Sequence, residues 1–357
     1  MNKNPTILVA DKSVAGNELI RSKPRTWRAR YFFVFMAILF PVITFIGFYP
    51  SYRDFEAGIL KIHWLTHIHS TVMTSWLLLY LTQTLLAATG NIKIHRRLGP
   101  FAFVLGILVF MFMGIVSFHI LIVNHPPEGS FLFSLLIGNF FEMLSFALFF
   151  TWGMLLRKKN AGAHKRLITL ATITLMVAAI DRMKLNNLLP SFGIEAFNPT
   201  FIYVDILLIP LLLHDLITLR RIHKFTWLCI AILIFLQVIS SNVSGSPSWH
   251  KFLFKATAPL MEKEKDIEIK LTDAQSAPLL GDYYESSVGK LTVSRDSGKV
   301  YIQLDGGEKL ELGATSETEL FLKGDVEKFS FVKGTDGKIT MMKFEEIGRI
   351  YKIPKVK

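Results

Sequence analysis

Cysteine is all but missing from this chain. Cys229, inside an apolar run, is the only one among 357 residues, so no disulfide framework, thiolate metal site or cysteine pair forms within one chain. Acidic residues are scarce over residues 1–250, where 22 Lys and Arg stand against 10 Asp and Glu; residues 251–357 carry 18 of each. The formal charge of +12 therefore sits in the first part, mostly in short loops. There it reports membrane topology and excludes a nucleic-acid partner. A small-residue cleavage pattern is also missing behind the first apolar run, which is expected to be a retained span rather than a signal peptide.

What the chain has in plenty is apolar residues. A hydrophobic content of 51% and a mean hydropathy of +0.40 exclude an ordinary soluble enzyme and make the lipid bilayer the first expected partner. Apolar runs appear near 31–49, 65–89, 99–122, 132–156, 165–188, 199–219 and 225–243. The fifth is the weakest, because only Leu167–Ile180 is cleanly apolar before Asp181, Arg182 and Lys184. Loop charge decides in its favour. With seven spans, the tail and even-numbered loops carry 18 Lys and Arg and the odd-numbered loops 4. The positive-inside rule then sets the N-terminus in the cytoplasm and the C-terminus outside, in the cell (inner) membrane.

The expected organisation is a basic cytoplasmic tail (1–30), a seven-span α-helical bundle (31–243), a breaker-rich and charged linker (244–265) and an extracytoplasmic all-β domain (266–357). Over the last part apolar and polar residues alternate with period two, as in Lys299-Val-Tyr-Ile-Gln-Leu and Lys328-Phe-Ser-Phe-Val-Lys. Asp296-Ser297-Gly298, Asp305-Gly306-Gly307 and Asp336-Gly337 supply residues that tolerate positive φ at hairpin turns. About eight short strands imply a small antiparallel barrel or sandwich. Tyr283, on an early strand, is expected to point inward.

Leu279-Leu-Gly-Asp-Tyr-Tyr284 followed by Gly289-Lys-Leu-Thr-Val293 resembles the accessory β-domain of β-lactamase-related serine hydrolases, over residues 275–355. That resemblance implies a barrel outside the membrane, with chemistry elsewhere. The Ser-x-x-Lys at Ser248–Lys251 lies in the breaker-rich exit and is read as coincidence. In the membrane part, His69…Trp76…Gln83…Gly90…His95-Arg-Arg-Leu-Gly99, with His164-Lys-Arg-Leu167 and Asp215…Arg221-Ile-His223, resembles a group of uncharacterised bacterial multi-span proteins over residues 63–225. It implies a class and no mechanism.

The residues that carry chemistry lie in the spans. His69, Trp76 and Gln83 recur every seven residues and share one helical face, which is expected to look into the bundle. His69 and His119 fall at similar depth on neighbouring spans, near the outer ends. The repeated His-[Arg/Lys]-Arg-Leu sets His95 and His164 at the inner ends of two spans, with His214 at similar depth. These five histidines are the candidate ligands of a b-type haem, with the ligands expected in the outer half of the bundle, His69 first among them, and with Glu142, Gln83, Trp76 and Arg182 as groups that would orient them. The bland reading of the repeat is interfacial anchoring by snorkelling cations.

An alternative is a metal-dependent intramembrane hydrolase, with zinc on His69, His119 and Asp205 and Glu142 moving the proton. A third reading is a non-catalytic sensor, carrier or scaffold. Its β-domain would meet a periplasmic protein or small molecule.

Overall fold

The computed structural model describes residues 27–185, 199–260 and 268–356. Most of the expected basic tail and the end of the expected linker (261–265) lie outside them. Among the described residues, seven helical segments are long and apolar enough to cross a membrane. Four are single helices: α1 (Trp27–Glu56), α2 (Trp64–Thr89), α3 (Ile92–Asn124) and α4 (Phe131–Leu156). The fifth is α5 (Ala161–Thr174) followed by α6 (Val177–Asp181), and the sixth is α7 (Pro199–Asp205) followed by α8 (Leu208–Leu219). The seventh, α9 (Lys224–Ser244), is again unbroken.

Two spans are thus interrupted. In the sixth, Pro210 sits in the first turn of α8, where its missing N–H cannot serve the Ile206 carbonyl; the Ile209 N–H donates to it instead at 3.1 Å, and the chain breaks at Ile206–Leu207. The fifth breaks at Leu175–Met176 without a proline.

The fifth span, among the least hydropathic of the seven, is the centre of the bundle. In its most apolar stretch 78% of residues are buried, against 11% for the third span. A helix that touches protein rather than lipid accommodates hydroxyls that find partners. Thr172 accepts from Trp76 Nε1 at 3.3 Å, and Thr169 bonds the Tyr80 hydroxyl at 2.7 Å. The helix α1 crosses α6 so closely at Gly47 that a Cβ there would lie 2.1 Å from the Ala179 carbonyl oxygen. Side chains such as Phe35, Phe101, Leu155, Ile217 and Trp227 remain exposed around the bundle, a periphery suited to contact with a bilayer.

The C-terminal part is an eight-stranded antiparallel meander in chain order. Its strands are β1 (Gly281–Glu285), β2 (Gly289–Asp296), β3 (Lys299–Leu304), β4 (Lys309–Ala314), β5 (Glu319–Leu322), β6 (Lys328–Lys333), β7 (Ile339–Glu346) and β8 (Arg349–Pro354). β1 returns to the end of β8 through a Tyr283–Lys355 bridge and the Val356 N–H to Asp282 carbonyl bond of 2.7 Å, which nearly closes a barrel. Alternate residues fill it, among them Leu291, Val293, Val300, Ile302, Phe329, Phe331, Met342 and Ile353. Tyr283 is fully buried, and its hydroxyl donates to the Leu279 carbonyl at 2.7 Å. Ser297 and Gly298 take the paired positive φ of a two-residue hairpin turn, and Asp305 and Gly306 take the same pair of conformations in the longer β3–β4 turn.

The segment expected as a linker contains a helix, α10 (Pro247–Thr257). Proline is tolerated at the first helical position, so Ser246-Pro247 starts a helix here rather than preventing one. Leu253 and Phe254 of α10 join Leu121, Leu132 and Phe133 at the ends of α3 and α4. Trp249 and Phe252 stay exposed, five and eight residues past α9.

The same apolar cluster takes Val326 and Ile347 from the barrel. Beside it the β7–β8 turn pairs with the chain between α1 and α2. Lys61 N–H donates to the Gly348 carbonyl at 2.9 Å, Ile350 N–H to the Ile59 carbonyl at 2.8 Å, and Arg349 Nη2 lies 2.8 Å from Asp54 Oδ2. Ile347 holds φ 43°, a left-handed conformation that a β-branched residue enters only at a cost of roughly 1–2 kcal/mol. Its contact with the cluster offsets that strain.

Next to Ile347 and Val326 the barrel carries Glu327. Burial, reinforced by Asp325 and Glu346, raises its carboxyl to about 7. Its Oε2 is buried without a hydrogen-bond partner. The folded domain therefore holds this proton more tightly than the unfolded chain does. Stability from this group is full below the ordinary glutamate range, near 4.5, and is lost as pH rises to about 7. The expected loss is on the order of 1–2 kcal/mol after solvent screening. Melting temperatures of wild type and Glu327→Gln between pH 4 and 8 check this: the fall across that window should vanish in the variant.

Candidate functional site

The N-terminal end of the bundle holds the two histidines of the repeat. Each begins a helix that doubles back from the one before, so its ring lies against the last turns of that neighbour. His95 Nδ1 is 3.1 Å from the Gln83 carbonyl oxygen, and His164 Nδ1 is 2.8 Å from that of Gly153. A carbonyl has no proton to give, so Nδ1 donates in both rings. In the neutral imidazole this leaves the Nε2 lone pair as the free position. His164 lies within electrostatic reach of His95 and of Arg157. Both rings are half-buried, and Arg96 and Arg97 are exposed beside them.

Deeper at the same end is an ion pair the sequence reading did not single out. Arg166, 2% exposed, donates Nε to Asp215 Oδ1 and Oδ2 at 2.9 and 3.2 Å, and its Nη2 also reaches Oδ1. Arg166 Nη1 donates to the Gly162 carbonyl at 2.8 Å. Thr226 Oγ1 and His223 N–H complete the shell of Asp215 Oδ2 at 2.6 and 3.1 Å. This carboxylate is fully satisfied, which makes the cluster a clamp between α5, α8 and α9. His214 adds little: its Nδ1 is 3.5 Å from Asp215 Oδ1, and its ring stacks on Phe32 at 4.2 Å. Asp215 itself was the available signal, since an acid inside a span requires a cation at its own depth.

At the other end, which carries the β-domain, the expected partners rearrange. His119 stacks on His63, with centroids 4.3 Å apart. His63 caps α2 by accepting from Leu65 N–H at 3.3 Å, so it reaches the level of His119 while His69 lies deeper along the helix. His69 is half-buried near the Phe112 backbone, with Arg182 within electrostatic reach, and its Nδ1 has no hydrogen-bond partner. The stripe below it does look into the bundle: Trp76, Tyr80 and Gln83 are buried, the first two bonded to α5. Asp205 accepts from Gln237 Nε2 at 3.0 Å and stands apart from both histidines in the bonds it makes. Arg182 is within electrostatic reach of Asp181 and Glu142, while its Nη1 donates to the Ala178 carbonyl at 2.7 Å.

Among the described residues no three His, Cys, Asp or Glu side chains converge to hold a metal ion. The set His69, His119 and Asp205 is not assembled. Ser248 and Lys251 both lie on α10. Comparison with known proteins returns no matching family model, no matching curated protein and no matching solved structure. What the structure supplies is a multi-pass membrane bundle with one oriented histidine pair, one buried ion pair and two interrupted helical spans.

Proposed function

We propose that this protein is a membrane redox protein that holds a b-type haem between His95 and His164. The observation that carries the reading is that both rings have Nδ1 committed to a backbone carbonyl and Nε2 left free. A ring so held has its tautomer and orientation set in advance, which is how ligating histidines are prepared. The two lie at the starts of α3 and α5 on one end of the bundle, and the neighbouring Arg96, Arg97 and Arg157 suit the carboxylates of a haem edge. Bound there, haem would supply one-electron chemistry, while the residues of this chain would fix the ligand geometry and balance charge.

In the same reading the N-terminus is cytoplasmic, the protein sits in the cell membrane, and the β-domain lies outside as an accessory module that meets a periplasmic partner. The 18-to-4 loop charge bias supports that orientation. A non-catalytic scaffold is the second reading, favoured by the firm seat of the barrel on the α1–α2 connection.

The absorbance spectrum of purified protein tests the haem reading. A Soret band with low-spin bis-histidine features is expected, lost in His95→Ala and in His164→Ala and kept in His119→Ala. Protein purified without such a band, or a band that survives both inner substitutions, removes the proposal and leaves the scaffold.

A further inference from the structure

Independently of any haem, α10 presents a surface that the protein leaves uncovered. The helix α9 ends at Ser244 and α10 starts at Pro247, with only Gly245 and Ser246 between them. The 21 residues of α9 rise roughly 30 Å, the thickness of a hydrocarbon layer, so α10 begins at the edge of that layer. Phe235 and Val238, further back along α9, are themselves exposed and suited to lipid.

One side of α10 is fixed to the bundle. His250 Nε2 donates to the Ser244 carbonyl at 2.7 Å and lies 3.1 Å from Ser134 Oγ on α4. Phe254 meets Phe133 edge-on, with centroids 6.3 Å apart, and Leu253 joins the same apolar cluster. These contacts hold the helix in one rotation, so what it exposes is set by the fold. On the outer side Trp249 and Phe252, three residues apart, stand edge to face with centroids 5.5 Å apart, and they are 46% and 57% exposed. Lys251 and Lys255, four residues apart, are exposed on the next face, and among the described residues no acid pairs with either. Packed face, aromatic pair and lysine pair thus follow one another around the helix, the pattern of a helix lying in the plane of a membrane surface.

A second copy of the chain is the competing occupant. Two aromatic rings at about half exposure offer on the order of 200 Å², far short of the roughly 800 Å² that a stable dimer buries on each partner. Lipid fits better on three counts. The patch starts where a membrane-crossing helix ends, tryptophan favours the level of the headgroups, and lysine stems lie along apolar surface while their ammonium groups reach the phosphates. We infer that α10 is an interfacial helix, with Trp249 and Phe252 inserted into the lipid at the β-domain end of the bundle and Lys251 and Lys255 directed to the headgroups. Its inner face shares a cluster with Val326 and Ile347, so the helix stands between the lipid and the seat of the barrel.

The test is the depth of a nitroxide label on the full-length chain, in bilayers of phosphatidylcholine and phosphatidylglycerol. Each variant carries Cys229→Ser and one added cysteine, and relaxation by oxygen, which concentrates in lipid, is compared with relaxation by a water-soluble nickel chelate. The Phe252→Cys label should favour oxygen and lie roughly 5–10 Å into the boundary of headgroups and acyl chains. Trp249→Cys should agree with it, so the result does not hang on one substitution. Phe235→Cys, within the span, serves as the lipid reference and Ser297→Cys, in a barrel turn, as the aqueous one. Lys251→Cys should be more open to nickel than Phe252→Cys. Labels at 249 and 252 as open to nickel as the one at 297 overturn the assignment and leave α10 in water. Labels shielded from both reagents and broadened by a neighbouring spin overturn it in favour of a second copy. A label at 251 as deep as that at 252 overturns the placement of the lysines. None of these results bears on the Soret band, so the two proposals stand or fall separately.

Discussion

Arg166→Ala is expected to lower the stability of the bundle by about 3–5 kcal/mol, the usual result of leaving one member of a buried ion pair without its partner. Asp215 is wholly buried, and without the guanidinium its charge keeps only the Thr226 hydroxyl and the His223 N–H. Arg166→Lys should recover little, because an ammonium cannot reproduce the fork that engages both carboxylate oxygens and the Gly162 carbonyl. The double variant Arg166→Met with Asp215→Leu should recover most of the loss, since an apolar replacement removes both desolvation costs. Unfolding midpoints in detergent measure all three. A loss below about 1 kcal/mol for Arg166→Ala would show that the pair is solvated.

A loss of similar size is expected in the barrel. Tyr283→Ala removes a fully buried ring that meets Phe331 edge-on, with centroids 5.7 Å apart, and should cost about 3–5 kcal/mol. It also strips the Leu279 carbonyl of its donor. Tyr283→Phe separates the two effects, keeping the ring and losing about 1 kcal/mol for the hydrogen bond. Denaturant unfolding of residues 266–357 is the measurement, with a lower midpoint and an unchanged slope. If the alanine variant unfolds at the wild-type midpoint, the barrel core is not where Tyr283 sits.

These two residues also mark what a reader of the sequence can and cannot see. Tyr283 was legible because strand alternation assigns a face to each residue, and one face of a closed barrel must be inside. The seven apolar runs were legible for a similar reason. Arg166 was not, because a cation near the start of a span looks like an interfacial anchor until its partner at the same depth is known. Depth along single helices paired His69 with His119, but the rotation of one helix against another is not encoded in either, and His63 took that place. The β7–β8 turn escaped notice because Ile347-Gly348 lacks the asparagine or aspartate that announces such a turn. Its conformation is imposed from outside the hairpin, by the cluster it enters.

That turn has a bearing on the order in which the chain assembles. Arg349 reaches back to Ser51 across 298 residues, so the seat on the first two helices is made long before the part that fills it. Seven spans precede it in the chain, and the loop at 57–63 waits with Lys61 N–H and the Ile59 carbonyl unpaired until the β7–β8 turn has been made. Contacts of such long sequence separation form late and slowly. During that interval Leu121, Leu132 and Phe133 have only α10 to cover them. A chain cut short before β8 would keep every membrane span and still present this apolar surface, a natural handle for the quality-control machinery that removes unfinished proteins.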